Sequence, residues 1–324
     1  MATLDTSMLS NENGNLIPGT SLGVIVERAS RSTLAQLSPE KPTLFGPVHG
    51  ATFAGTPKAQ VVGESEAKLA SDVSLVPFKA DPIKVQTSVR VSDEFLWADN
   101  DYRLQIIDEA VAPAIGDSIS RAVDLLAYHG VNPYTGQVTT KMPKYLAQAT
   151  NVVTAADKPT SEVIEAVGLV MANGGVPNGI AFDSGFGFGL ATEINPVTGA
   201  ELNPGMGFGG DLSSFKGIRT ATGSTVSGRP EIDDSGIRAI VGDYSQVRWG
   251  FQRRIPLALH TAGNPDNVFD ESGKARDLAG HNEVLLRAEA VIYIAVGNLA
   301  RFSLVQGSPE SPASPGSPAS PTSP

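Results

Sequence analysis

Residues 60–96 read QVVGESEAKLASDVSLVPFKADPIKVQTSVRVSDEFL, and the second half of that stretch alternates with a period of two. Ile83, Val85, Thr87, Val89 and Val91 fall on one side, while Lys84, Gln86, Ser88 and Arg90 fall on the other. Residues that alternate in this way predict a strand over 83–91 with one apolar and one polar face. The stretch before it, 63–82, is different. It carries Glu64, Glu66, Lys68, Asp72, Lys79 and Asp81 and has too little apolar surface for a core of its own. Lying within a region of β character over 51–91, it reads as a long hairpin projecting from the body. A mobile surface loop is the alternative, because long loops are uncommon and are usually either functional or disordered.

Downstream, Leu104, Ile107, Val111, Ile115, Ile119, Val123 and Leu126 recur at spacings of three and four, which predicts a helix over 101–129. Glu109, Asp117, Ser120, Arg121 and Asp124 fall on its other side. Asp108 interrupts the apolar arc, Pro113 predicts a kink, Gly116 weakens the helix, and Gly130 with Pro133 ends it. A second helix is predicted over 161–172, with Val163, Val167, Val170 and Met171 on one face and Asn173-Gly174-Gly175 as its stop. A short strand near 180–182 precedes a glycine-rich, turn-forming region over 185–210. Strands follow over 237–241 and 255–259, then a helical stretch over 283–287 and a strand over 291–296. The order is mixed and has no βαβ rhythm, so the fold class is α+β.

Upstream, residues 1–45 are punctuated by Gly, Asn, Pro and Ser, and only 22–37 has the pattern of a helix. Such an arm buries little of itself and is either disordered or laid against something else. At the other end, proline recurs at 309, 312, 315, 318, 321 and 324, always after serine. Proline every third residue fits an exposed polyproline II extension, and the absence of glycine at every third place excludes collagen.

The 324 residues suffice for one large domain or two modest ones. Their formal net charge of −10, from 24 Lys+Arg against 34 Asp+Glu, argues against wrapping nucleic acid. There is no cysteine, which excludes disulfides and thiolate metal sites and suits a reducing cytoplasm. No run approaches a membrane span, and MATLDTSMLSNENGN lacks the basic start and apolar core of a signal peptide. The expectation is a soluble chain with no membrane partner.

Enzymatic signatures are scarce. His49, His129, His260 and His281 are scattered and read as structural, with no metal-ligand spacing and no cofactor motif. Neither a nucleophile elbow nor a phosphate loop is present. Gly185-Phe186-Gly187-Phe188-Gly189 is a fragment of a dinucleotide fingerprint without its third glycine, so a turn-rich loop is the better reading. Asp233-Asp234 lies among turn formers and reads as a solvated turn.

Three stretches together carry a family resemblance. In 60–96, a valine pair is followed by an acidic residue, Ala-Lys, Ser-Asp before a strand, and V-S-x-E-x-L before the long helix. VGDYSQVRWGFQRRIPLAL (241–259) and NEVLLRAEAVIYIAVGNLARFSLV (282–305) follow in order. In these features the chain resembles the major capsid proteins of tailed phages of the Hong Kong 97 type, over roughly 17–305.

The resemblance implies a fold with an N-terminal arm (1–45), an extended hairpin loop with its strand into the peripheral domain (46–100), and a spine helix (101–139). It further implies an axial domain (140–235), strands and a helix completing both domains (236–305), and a tail (306–324). It implies a structural shell protein, not an enzyme, forming hexamers and pentamers of an icosahedral head around double-stranded DNA. Subunit contacts would be carried on the extended loop by Glu64, Glu66, Lys68, Asp72, Phe78, Lys79 and Asp81. The chain would reside in the virion capsid and assemble in the host cytoplasm, with scaffolding, portal, protease and decoration proteins as further candidate partners. An encapsulin-type nanocompartment shell and, less favoured, a soluble enzyme using 185–210 are the alternatives. Some members of the family join subunits by a lysine–asparagine bond. Lys68 falls in the matching loop, but Asp277 stands where the asparagine would be, with Asn282 nearest, which argues against the bond here.

Overall fold

The computed structural model describes residues 32–54, 57–70, 74–94, 111–156, 158–206 and 214–307. In chain order its elements are α1 (Thr33–Leu37), β1 (Val48–Ala54), β2 (Ser74–Ala80), β3 (Ile83–Ser92) and α2 (Ala112–His129). There follow β4 (Val131–Asn132), β5 (Gln137–Val138), β6 (Asn151–Thr154), α3 (Pro159–Ala172), β7 (Gly179–Phe182) and α4 (Ser184–Thr192). The remainder are β8 (Ser214–Phe215), β9 (Ile218–Thr222), β10 (Ile237–Gly242), β11 (Val247–His260), β12 (Glu283–Val296) and β13 (Phe302–Gln306). They form two compact units, one containing Glu40–Ala122 and Trp249–Ala295, the other Ser32–Pro39, Val123–Arg248 and the residues from Val296. Positions 1–31 of the expected arm, 101–110 of the expected helix and the Ser-Pro-x repeat from 308 lie outside the described residues.

In the first unit, β3 forms where the alternation predicts it and lies at the edge of a three-stranded sheet ordered β11-β12-β3. It pairs antiparallel with β12 from Glu283↔Ser92 to Ile292↔Ile83. Val91, Val284, Leu286 and Ala288 pack with Val111 and Ile115 from the first turns of α2. Each aliphatic side chain buried in this way contributes about 1.5–3 kcal/mol. Residues 41–43 run along β11, with the amides of Lys41 and Thr43 donating to the carbonyls of Trp249 and Phe251 at 2.9 and 3.4 Å. Gly250 permits that approach, since a Cβ there would collide with the Lys41 carbonyl.

Two expectations fail in this unit. The helical stretch over 283–287 is instead the start of β12. Nearly every residue of β12 is buried, on both faces, so the period of two that would have marked a strand is missing. Arg90, assigned to the polar face of β3, is buried. Its guanidinium donates to Asp266 at 2.5 and 2.7 Å, to Glu283 at 2.7 Å, to Asn264 at 3.0 Å and to the Arg276 carbonyl at 3.1 Å. Arg276 closes the network on Glu283. The irregular segment 264–276 therefore covers what alternation alone marks as an outward face.

The second unit is built on a six-stranded mixed sheet ordered β6-β13-β10-β7-β9-β8. Central β10 is buried along its whole length. Ala239 and Val241 join a cluster with Val163, Ala166 and Val170 of α3 and with Leu190 and Ala191 of α4. α1 packs on β7 and β9. α3 matches its predicted span closely and stops at Gly174 (φ +70), where the Gly175 amide donates back to the Val170 carbonyl at 2.9 Å. Its expected apolar face is correct except for Met171, which is exposed.

The glycine-rich turn region is corrected too, since its first part is helix α4. Asp183 caps the helix, its carboxylate accepting the Gly185 amide at 3.1 Å. Leu190 and Ala191 are buried in the core, which offsets the roughly 1 kcal/mol that each interior glycine costs relative to alanine.

Asp124 was expected on the polar side of its helix, yet it is fully buried. Ser32 Oγ donates to Oδ1 at 2.5 Å and the Leu34 amide at 3.1 Å. The Thr33 amide, Thr33 Oγ1 and Thr225 Oγ1 donate to Oδ2 at 2.9, 3.1 and 2.7 Å. The carboxylate thus caps α1 from another part of the chain and holds residues 224–226 as well. Burial pushes its pKa up, opposed by the bonds from Ser32, Thr225, Thr33 and Leu34.

Two outcomes are expected. Asp124→Leu strands the Thr33 and Leu34 amides without acceptors, and urea unfolding should show a loss of about 3 kcal/mol or more, with Asp124→Asn intermediate. The second concerns pH. The Arg90 bonds hold the Asp266 pKa below the usual carboxylate value, and for Glu283 burial pushes upward but the bonds from Arg276 and Arg90 prevail and lower it. Carboxylates depressed in the folded state stabilise above their unfolded pKa and lose that contribution as pH falls through the folded one. The stability gap between wild type and Asp266→Asn should therefore be full near pH ~6 and shrink below pH ~4.

Candidate subunit interface

The polar stretch 63–82 is part of a hairpin, as the sequence predicts, but its second strand begins inside that stretch. β1 and β2 pair antiparallel from Val48↔Ala80 to Ala54↔Ser74. Pro77 is tolerated because these strands form a two-stranded ribbon in which each has a free edge. At the base, Ala80, Tyr293 and Ala295 cluster with Val48 and Phe78. The Phe78 ring lies over Gly50, where a Cβ would collide with it. Tyr293 Oη donates to the Lys41 carbonyl at 2.7 Å.

Beyond the strands, residues 57–70 are tied by a few local hydrogen bonds. The Glu66 carboxylate accepts the Gly63 amide at 2.9 Å, and the Glu66 amide donates to the Gly63 carbonyl at 3.3 Å, around a turn in which Ser65 has φ +72°. Gln60 ties the two limbs together, its Oε1 accepting the Leu69 amide at 2.9 Å and its Nε2 donating to the Ala67 carbonyl at 3.2 Å. The apolar side chains have no such partners. Val61 is 98% and Leu69 76% exposed, and Leu75 and Val76 on β2 are exposed too.

The seven expected contact residues therefore divide. Glu64 stands at the turn, Glu66 locks it, and Lys68 is exposed between Ala67 and Leu69. Phe78 belongs to the base, and Lys79 pairs with Asp81 at 2.7 Å with both half exposed, a bond worth at most about 1 kcal/mol. Asp72 lies outside the described residues. Sequence reading missed Gln60, Val61, Leu69, Leu75 and Val76. The available signal was an apolar residue recurring in a stretch with no core to enter.

Among the described residues, the groups that sequence reading weighed for other chemistry are held in structural bonds. His129 is buried with Nε2 at 3.2 and 3.1 Å from the carbonyls of Thr225 and Val226, and burial lowers its pKa. Asp234, expected in a solvated turn, is buried and pairs with Arg238 at 2.8 Å while accepting the Gly236 amide at 2.9 Å. At the start of α4, where a phosphate would bind in a dinucleotide fold, the Asp183 carboxylate already holds the Gly185 amide. That carboxylate also accepts Ser227 Oγ at 2.6 Å and pairs with Arg229 at 3.1 Å. An anion would be repelled there. Among the described residues no cluster of three His, Asp or Glu could hold a metal ion, and no helix is long and apolar enough to cross a membrane.

No family model and no curated protein matches the chain. Solved structures do. A chain from Mycobacterium phage Ogopogo is 35% identical, with a TM-score of 0.75 over 95% of this chain and 100% of that one. One from Gordonia phage Cozz is 24% identical, with a TM-score of 0.69 over 96% and 98%. The capsid of a native GTA particle shares the fold at 13% identity, with a TM-score of 0.60 over 94% and 99%. The hairpin, the α+β architecture and this whole-length similarity lead to one assignment: the chain belongs to the major capsid proteins of tailed phages, structural and not enzymatic, with the Hong Kong 97 fold.

Proposed function

We propose that this capsid protein assembles as hexamers and pentamers into an icosahedral head enclosing double-stranded DNA. The observation that carries the reading is the hairpin. Its loop is tied internally by Gln60 and Glu66 while Val61, Leu69, Leu75 and Val76 stay in water, the state of a surface awaiting a neighbouring subunit. Glu64, Glu66, Lys68, Asp72, Phe78, Lys79 and Asp81 contribute by shaping and charging that surface. The net charge of −10 supports a wall that contains DNA without adhering to it or reading its sequence.

The division into two units supports the expected domain scheme, with the six-stranded sheet as the axial domain and the β11-β12-β3 sheet in the peripheral domain. Residues 1–45 serve as the arm and 46–100 as the extended loop and its strand. The tail begins after Gly307, since Gln306 belongs to β13 and the Gly307 amide donates to the Gly236 carbonyl at 2.8 Å. Assembly takes place in the host cytoplasm, with scaffolding, portal, protease and decoration proteins as candidate partners.

Replacing 58–70 with a short Gly-Ser linker removes almost no buried surface. The variant should keep its circular dichroism and melt within about 2 °C of wild type, while negative-stain microscopy finds no closed particles. Unfolding would make the segment part of the core, and normal particles would remove it from the interface. Truncation after Gly307 should leave melting temperature and particle diameter unchanged, because the serine-proline composition beyond it buries little. Particles of altered size would mean that the tail bridges subunits.

A further inference from the structure

The outward face of α3 is unusual for a surface helix. Ser161, Ile164, Glu165, Gly168, Met171 and Ala172 recur at spacings of three and four and are all exposed. A helix packed on a sheet ordinarily turns charged and polar residues outward. Here only Ser161 and Glu165 are polar, and Met171 is 61% exposed. Val176 just beyond the helix is 76% exposed, and Val152 on the neighbouring edge strand β6 is also exposed. Gly168 sits mid-helix with nothing within 4 Å of where a Cβ would stand, so no packing within the subunit requires a glycine there.

The opposite edge of the same sheet has complementary character. β8 and β9 are joined by the two-residue turn Lys216-Gly217, both with positive φ (+47° and +85°), a stiff hairpin connection. Lys216 and Arg219 are exposed there. The strand order places β6 and β8 at the two ends of the sheet, and α3 lies over β6, β13 and β10. The cationic turn and the acidic, apolar helix face are thus on opposite sides of the unit. Contact between two such different surfaces is heterologous, the kind that closes copies into a ring. Polyanionic nucleic acid is a poor occupant of a face whose one charged side chain is Glu165.

We propose that the outward face of α3 is the docking surface for the β8–β9 turn of a second copy, with Lys216 and Arg219 of one copy against Glu165 of the next. The inference rests on the assembly reading above and names the surfaces that meet within a capsomer. All three charges are exposed, so their reversal leaves the subunit folded, which circular dichroism checks. Glu165→Lys alone, and Lys216→Glu with Arg219→Glu, should each raise the protein concentration needed for capsomers by about tenfold or more, measured by analytical ultracentrifugation. All three reversals in one chain should restore assembly, because the pairing is rebuilt with opposite sign. Reversed variants that assemble like wild type overturn the contact and leave the assembly reading standing. A triple variant as impaired as its parents also overturns it, as does a Glu165→Lys particle that forms normally and loses only an accessory protein. A wild-type chain that forms neither capsomers nor particles overturns the assembly reading and this contact with it.

Discussion

A carboxylate with no exposure to water is what the second unit is arranged around. Desolvating Asp124 is strongly unfavourable unless hydrogen bonds replace water, and five donors do so, four from residues 32–34 and one from Thr225. α1, at five residues, is far too short to persist alone. It exists because Asp124 accepts its first amides while Leu34 and Leu37 are buried. The network extends inward. Thr33 Oγ1 lies 2.8 Å from Tyr128 Oη, and the equally buried Tyr244 donates its Oη to the Ile240 carbonyl at 3.1 Å. Tyr244 meets Phe302 of β13 edge-on at 5.6 Å. A polar anchor thus sets the position of one apolar layer of the sheet.

The first unit handles buried charge differently. Arg90 is neutralised by two carboxylates, and the segment carrying Asp266 and Arg276 is fixed by that neutralisation. Asp124 is held by dipoles, Arg90 by countercharges. Both act as staples for segments distant in sequence, Asp124 for residues 32–39 in one unit and Arg90 for 264–276 in the other. Leaving either charge unpartnered would be more damaging than never having buried it, which makes the covered arrangement the specific one.

The same two residues mark where sequence reading stops. β3 and α3 were legible because one period dominates each of them, and β10 because it is a short run rich in β-branched residues. Arg90 and Asp124 obey their periods yet are buried, because segments distant in sequence fold over them, and the period of a strand or helix carries no trace of what will cover it. The first part of β12, residues 283–287, was misread for the opposite reason, while its end over 291–296 was read as strand. Both its faces are covered, so the alternation that would have identified it is absent, and its Leu-Leu-Arg-Ala-Glu start has helical propensity overridden by ten paired positions on β3. α4 was hidden by its glycines, since propensity knows nothing of the Asp183 cap or of the core that receives Leu190. On the hairpin, charge drew attention to Glu64, Glu66 and Lys68. Of these, Glu66 is occupied in shaping the loop, and the exposed apolar residues sit between the charges.

That division of labour bears on how shell subunits bind. A loop whose amides already bond to Gln60 and Glu66 loses less conformational freedom on docking than a floppy one, and it has fewer polar groups to strip of water. What remains to be desolvated is Val61, Leu69, Leu75 and Val76, whose burial is favourable without being directional. Each such contact is modest. In the ring of the assembly proposed above, where every copy would both offer and receive one, modest contacts act together, because each later contact forms among partners already held close. Weak, preorganised and repeated surfaces let misplaced subunits leave before the ring closes and hold them once it has. In the assembly proposed above, the hairpin's apolar residues are exposed in the single chain because their partners would lie on other copies.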